Sequence, residues 1–189
     1  MKLIGIAGTN GAGKDSVGQL LADKHSWLFV SGSDMLRVEC RRRGLPVERE
    51  NLRMISAEWR REGGLGVLID KAVDVYESSV EKYQGLAVAS LRNPGEADRV
   101  HELGGKVVWV DADPRVRYER IQSANRGRGS EDSKTFQEFL AEQEAEMQSS
   151  GDEATLNMSG VKAKSDQVLM NQSTPEALEA DVNQLANAE

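Results

Sequence analysis

"GIAGTNGAGKDSVGQLL", residues 5–21, decides the fold of this chain. Gly8, Gly13 and Lys14 stand at the spacing G-x-x-x-x-G-K. They follow the strand-like run "KLIGIA" (2–7) and precede a helical run from Ser16 to Lys24. A strand, a glycine-rich loop and a helix in that order make a cradle for phosphate. Glycines let successive backbone N–H groups curl around an anion, the helix N-terminus adds favourable potential, and the lysine supplies a point charge. The cradle comprises Gly8, Thr9, Asn10, Gly11, Ala12, Gly13, Lys14, Asp15 and Ser16, the candidate ATP-binding residues. Its last two residues are unusual. Such loops continue after the lysine with Ser or Thr, whose hydroxyl holds magnesium. Here a carboxylate, Asp15, comes first and the hydroxyl one place later, at Ser16.

Outward from the loop, short apolar runs recur at "WLFVS" (27–31), "GLAVAS" (85–90), "KVVWVD" (106–111) and "QVLM" (167–170). Runs of this kind are strands buried on both faces. Helical patterns separate them. Leu65, Leu68, Ile69, Ala72, Val73, Tyr76 and Val80 keep one face apolar, and Leu178, Val182 and Leu185 do so after a Thr174-Pro175-Glu176 helix start. The alternation predicts an α/β fold with a five-stranded parallel sheet flanked by helices. The polar stretch 148–166 reads as loop or weak helix.

The 189 residues suffice for one domain with a real core. No apolar run has the roughly 18 residues that span a membrane, and the amino terminus has no leader layout. The single cysteine, Cys40, excludes an internal disulfide framework and is read as helix packing. A cytoplasmic protein, monomer or homodimer, is the expectation. Net charge is −7, which disfavours nucleic acid as a partner. Basic residues are local: residues 115–128 hold five arginines against Glu119 alone. Such clusters suit a small anionic ligand.

Three further segments carry chemistry. "SGSDMLR" (31–37) closes the second strand and opens a helix, with Ser31, Ser33 and Asp34 as cap residues. Arg37, one turn in, can pair bidentately with phosphate. "VASLRNPGEADRV" (88–100) follows the third strand and contains Arg92. "DADPRVRYERIQSANRGRG" (111–129) places Arg117, Arg120, Arg126 and Arg128 ahead of a break at Gly127 and Gly129.

Taken in order, these motifs resemble phosphate-loop nucleoside and nucleotide kinases over nearly the whole length. "SGSDMLR" is similar to the "STGDMLR" segment of adenylate kinases. Residues 88–100 resemble the "DG-x-R" segment of nucleotide and dephospho-coenzyme A kinases, and an archaeal branch related to the latter shares the motif order. The resemblance implies a P-loop NTPase fold with an acceptor-binding helical insertion at about 33–83 and a short lid at about 122–136. The core is then 1–32, 84–121 and 137–189. It also implies ATP-dependent phosphoryl transfer to a phosphorylated acceptor, foremost a (deoxy)nucleoside monophosphate. Dephospho-coenzyme A or another small phosphorylated metabolite stays open, as does a slow nucleotide-dependent switch.

Residue by residue, the resemblance assigns Ser31, Ser33, Asp34, Arg37 and Arg92 to the acceptor. Lys14, Arg120, Arg126 and Arg128 go to catalysis, and Asn171 and Thr174, in "SDQVLMNQSTPEAL" (165–178), to the donor's base. The family's strand-end aspartate is missing, since positions 89 and 90 are Ala89 and Ser90. Asp15 is therefore read as taking over part of the magnesium shell with Ser16 and Asp34. The other reading is that Asp15 only favours the helix's first turn. The same "GKD" variant occurs, by resemblance, in deoxynucleoside monophosphate kinases.

Overall fold

The computed structural model describes residues 1–124, 134–148 and 151–187. The strands are β1 (Lys2–Gly8), β2 (Leu28–Ser31), β3 (Gly85–Leu91), β4 (Lys106–Asp111) and β5 (Gln167–Met170). They form one parallel sheet in the order β2-β3-β1-β4-β5. The helices are α1 (Lys14–His25), α2 (Gly32–Arg42), α3 (Arg49–Gly63), α4 (Val67–Ser78), α5 (Pro94–Glu102), α6 (Pro114–Ala124), α7 (Phe136–Met147), α8 (Met158–Ala163) and α9 (Pro175–Asn187). This is the fold of phosphate-loop kinases, as the sequence predicts.

The strands alternate between two cores. Ile4 and Ile6 of β1, Ala87 and Ala89 of β3, and Val108 and Val110 of β4 face one side, where Val17 and Leu21 of α1 and Leu178, Val182 and Leu185 of α9 cover them. Leu3, Ala7, Leu86, Val88, Val107 and Trp109 face the other, under α4, α5 and α8. The alternation slips once. Ala7 pairs with Leu91 rather than Ser90, and Ser90 is bulged out with φ 73°. The bulge lies at the end of β3 that adjoins the phosphate loop.

Within 33–83, α4 sends Ile69 and Ala72 into the second core. Leu36 and Cys40 of α2 and Ile55 of α3 close a smaller third core with Leu68. Cys40 is buried, as its packing role requires. Val80, predicted on the apolar face of α4, lies beyond the helix end and is fully exposed. Helix α4 stops at Ser78 before the pattern's last turn. Among the described residues of the polar stretch 148–166, one short helix, α8, buries Met158 and Val161. No helix among the described residues is long and apolar enough to cross a membrane.

Candidate active site

The phosphate loop leaves β1 between the ends of β3 and β4, pressed against its surroundings. Gly8 and Gly13 have φ 136° and 94°. A Cβ at Gly8 would lie 2.0 Å from the Val110 carbonyl oxygen, and one at Gly13 would lie 2.2 Å from the Asn171 amide nitrogen. Only glycine fits either position. The Thr9 hydroxyl donates to Asp111 Oδ1 (3.1 Å), and Asn171 Nδ2 donates to the Ala12 carbonyl (2.8 Å). Asp111 also accepts the Ala112 N–H (2.9 Å) and the Trp109 indole N–H (3.2 Å). Buried Arg117 donates to the Ala112 carbonyl (2.8 Å) and the Asn10 carbonyl (3.4 Å).

Lys14 is half-buried, with its ammonium donating to the Thr9 carbonyl at 2.8 Å. Burial lowers its pKa to about 7, and the positive charges of Arg92 and Arg117 push the same way against Asp15 and Glu146. Asp15 and Ser16 are exposed at the start of α1. Lys14, Asp15 and Ser16 line one large cleft that also takes in Ser33, Arg37, Arg53, Arg92 and Arg120.

Of the predicted acceptor residues, Ser33, Arg37 and Arg92 line this cleft. Ser31 is buried at the N-cap of α2 and makes no side-chain cap bond. Asp34 is 67% exposed, pairs with Arg37 at 2.5 Å and is not among the cleft-lining residues. Its carboxylate is engaged one turn along its own helix, which weighs against a place in the magnesium shell. Arg120 donates to the Asn171 carbonyl (2.8 Å). Arg117, read with the lid arginines, is instead a buried brace under the phosphate loop. Arg126 and Arg128, with most of the lid segment and its glycines, lie outside the described residues.

Asn171 and Thr174 both have partners within the protein. Asn171 holds the loop, and the Thr174 hydroxyl accepts the Ala177 N–H (3.4 Å) at the start of α9.

Two bracing groups beside the cleft escape the sequence reading. Asp111 ends β4, the other neighbour of β1, and braces the loop from there. Glu96, buried on α5, accepts the backbone N–H groups of Arg92 (2.7 Å) and Asn93 (3.1 Å). Its other oxygen pairs at 2.7 Å with Arg60 of α3, and both side chains are 1% exposed. This pair ties α3 to the turn that carries Arg92. The N-x-x-E spacing of Asn93 and Glu96 is a capping-box signal that could have located it.

Residues 4–147 match the sequence profile of the AAA domain family. A UPF0200 protein of Pyrococcus abyssi is 31% identical over 149 residues, 77% of this chain and 78% of its own. A UPF0200 protein of Hyperthermus butylicus is 30% identical over 184 residues, 97% of this chain and 92% of its own. Among solved structures, shikimate kinase from Bacteroides thetaiotaomicron matches with a TM-score of 0.60 at 15% identity, over 97% of this chain and 95% of that one. TT1252 from Thermus thermophilus matches with a TM-score of 0.55 at 19% identity, over the same shares. At those identities the likeness is one of fold. The chain belongs to the AAA domain family and to the UPF0200 proteins.

Proposed function

We propose that this UPF0200 protein transfers the γ-phosphoryl group of ATP to a small acceptor that already carries phosphate, a (deoxy)nucleoside monophosphate being the preferred class. One observation carries the reading: Lys14 of the phosphate loop lines the same cleft as Arg37 and Arg92. Polyphosphate and acceptor phosphate are both matched by fixed cations there, and the arginines are able to recognise phosphate bidentately.

Magnesium fits the residues present. Asp15 and Ser16 both line the cleft, and both are exposed at the start of α1 with oxygen atoms able to meet a hard cation. No group of three or more His, Cys, Asp or Glu able to hold a metal occurs among the described residues. Magnesium takes one or two protein oxygens, keeps its waters and rides on substrate phosphates, so it needs no larger cluster. Asp15 and Ser16 would hold it, and it would neutralise charge on the phosphate oxygens.

The chain's own groups do the rest. Loop N–H groups and Lys14 hold the donor phosphates. Arg37 and Arg92 orient the acceptor so that its oxygen faces the γ-phosphoryl in line, and Arg120 supplies charge where it develops in transfer. A coupled assay of ADP release tests this, run over nucleoside monophosphates and dephospho-coenzyme A. Acceptor-dependent release that Lys14→Ala abolishes is the expected result. ATP binding without acceptor-dependent release would replace the kinase with a nucleotide switch.

A further inference from the structure

Glu146, one residue from the end of α7, is only 13% exposed and sits where three arginines meet. Arg53 Nη2 lies 3.0 Å from one carboxylate oxygen and Arg49 Nη1 3.5 Å from the same atom. Arg92 Nη1 lies 3.3 Å from the other. The partners are far apart in sequence: Arg49 and Arg53 belong to α3, and Arg92 to the turn after β3. Arg49 is the first residue of α3, at the positive end of its dipole, where a cation is disfavoured unless an anion joins it, and Arg53 follows one turn later. The N-cap residue, Glu48, makes no side-chain cap bond. Arg49 also reaches Glu142 at 3.3 Å. Lys14, Arg49, Arg53, Arg92 and Glu146 all line one cleft, so the cluster adjoins the phosphate loop.

The arginine contacts to Glu146 run from 3.0 to 3.5 Å, longer than the roughly 2.7–2.9 Å of strong charge-assisted hydrogen bonds. A single carboxylate shares two oxygens among three guanidinium groups. A phosphate brings three oxygens and about 1.5 to 2 negative charges. We propose that Arg49, Arg53 and Arg92 form the subsite for the acceptor's dianionic group, and that Glu146 occupies it in the ligand-free protein as an internal competitor which that group displaces. The proposal rests on the phosphotransferase reading above and extends it. The anionic end of the acceptor is gripped by the helical insertion as well as by the strand-end turn, and Glu146 sets how tightly.

Inorganic phosphate is the probe, titrated calorimetrically into full-length protein whose phosphate loop is already filled with an imido analogue of ATP and magnesium. Glu146→Gln keeps the side chain's size and removes its charge. It should tighten phosphate binding about ten- to a hundredfold, and Glu146→Gln/Arg53→Gln should lose that gain. Unchanged or weaker binding in Glu146→Gln overturns the proposal. So does a gain that survives Arg53→Gln, because phosphate would then be bound elsewhere. If Glu146→Gln does not fold, Glu146→Asp retracts the charge by one methylene and should give a smaller gain with the same dependence on Arg53. No gain there is equally fatal. The acceptor panel separates the two readings: transfer without tightening discards only the competitor, and tightening without transfer discards the kinase but leaves the anion subsite.

Discussion

Lys14 should make nucleotide binding a proton-coupled event. In the ligand-free protein its pKa lies at about 7, because burial and the neighbouring Arg92 oppose the charged form. The polyphosphate of a bound nucleotide should reverse that balance and keep the ammonium protonated. Above pH 7 a growing share of the free protein has lost this proton and must take one up in order to bind. With a starting pKa of about 7, the protonated fraction is about 0.24 at pH 7.5 and about 0.01 at pH 9.0. The association constant should therefore fall about 25-fold across that interval, roughly 2 kcal/mol. Near pH 8 about 0.9 proton should enter per nucleotide. The interval lies above the terminal phosphate's own pKa of about 6, so ligand ionisation adds little.

Metal-free titration calorimetry of ATP at pH 8, in buffers of different ionisation enthalpy, reads the proton count directly. Lys14→Arg supplies the control, since a guanidinium does not titrate in this range and should flatten the profile. The sign for stability follows from the same pKa. The folded value lies below the unfolded one, so the unfolded chain binds the extra proton between about pH 7 and about pH 10.5. Lys14 therefore makes the ligand-free fold gain stability as pH rises through that window. Zero proton uptake at pH 8 in the wild type, or an equal slope in Lys14→Arg, would refute the reasoning.

Two shorter predictions concern the carboxylates. Asp15→Ser, which restores the usual residue after the lysine, should move the magnesium requirement of turnover upward, because Ala89 and Ser90 supply no carboxylate. A magnesium titration superimposing on wild type would leave Asp15 as a helix-start residue only. Glu96→Gln leaves the buried Arg60 charge unpaired and should cost about 3–5 kcal/mol in a denaturant titration. A loss under about 1 kcal/mol would mean that water reaches the pair.

The sheet was legible because parallel strands buried on both faces spell continuous apolar runs, and each predicted strand lies within a residue of the observed one. The phosphate loop was legible for a related reason. Its glycines answer local demands, such as the left-handed backbone at Gly8 and Gly13, which the chain meets within a few residues. Asp111 was not legible in its role. An acid at a strand exit reads as a turn residue, and only the strand order puts β4 beside β1, so that the carboxylate meets the Thr9 hydroxyl. Asn171 hid in the same way, 159 residues from the carbonyl it holds.

Charge was the least legible property, because side-chain periodicity reports which face of a helix is apolar and says nothing of what approaches the polar face. Arg49 and Arg53 look like solvated arginines on an amphipathic helix until α7 returns with Glu146, 93 residues after Arg53. The reverse holds for Asp34, whose motif reads as a site residue while its carboxylate turns to Arg37. The unusual Asp15 stands between these cases. It is local, on the first turn of α1, yet its use depends on the far wall of the cleft, where Ser90 bulges out of β3 with φ 73° and brings a hydroxyl but no carboxylate. Both positions line one cleft, so a negative charge missing from the strand end and one added at the helix start act on the same ligand volume. A carboxylate beside bound polyphosphate repels it by roughly 3 kcal/mol at about 6 Å and an effective dielectric near 20. A cation held between the two would turn that repulsion into attraction, and this is the physical ground on which we propose a metal role for Asp15 beyond its place in the helix.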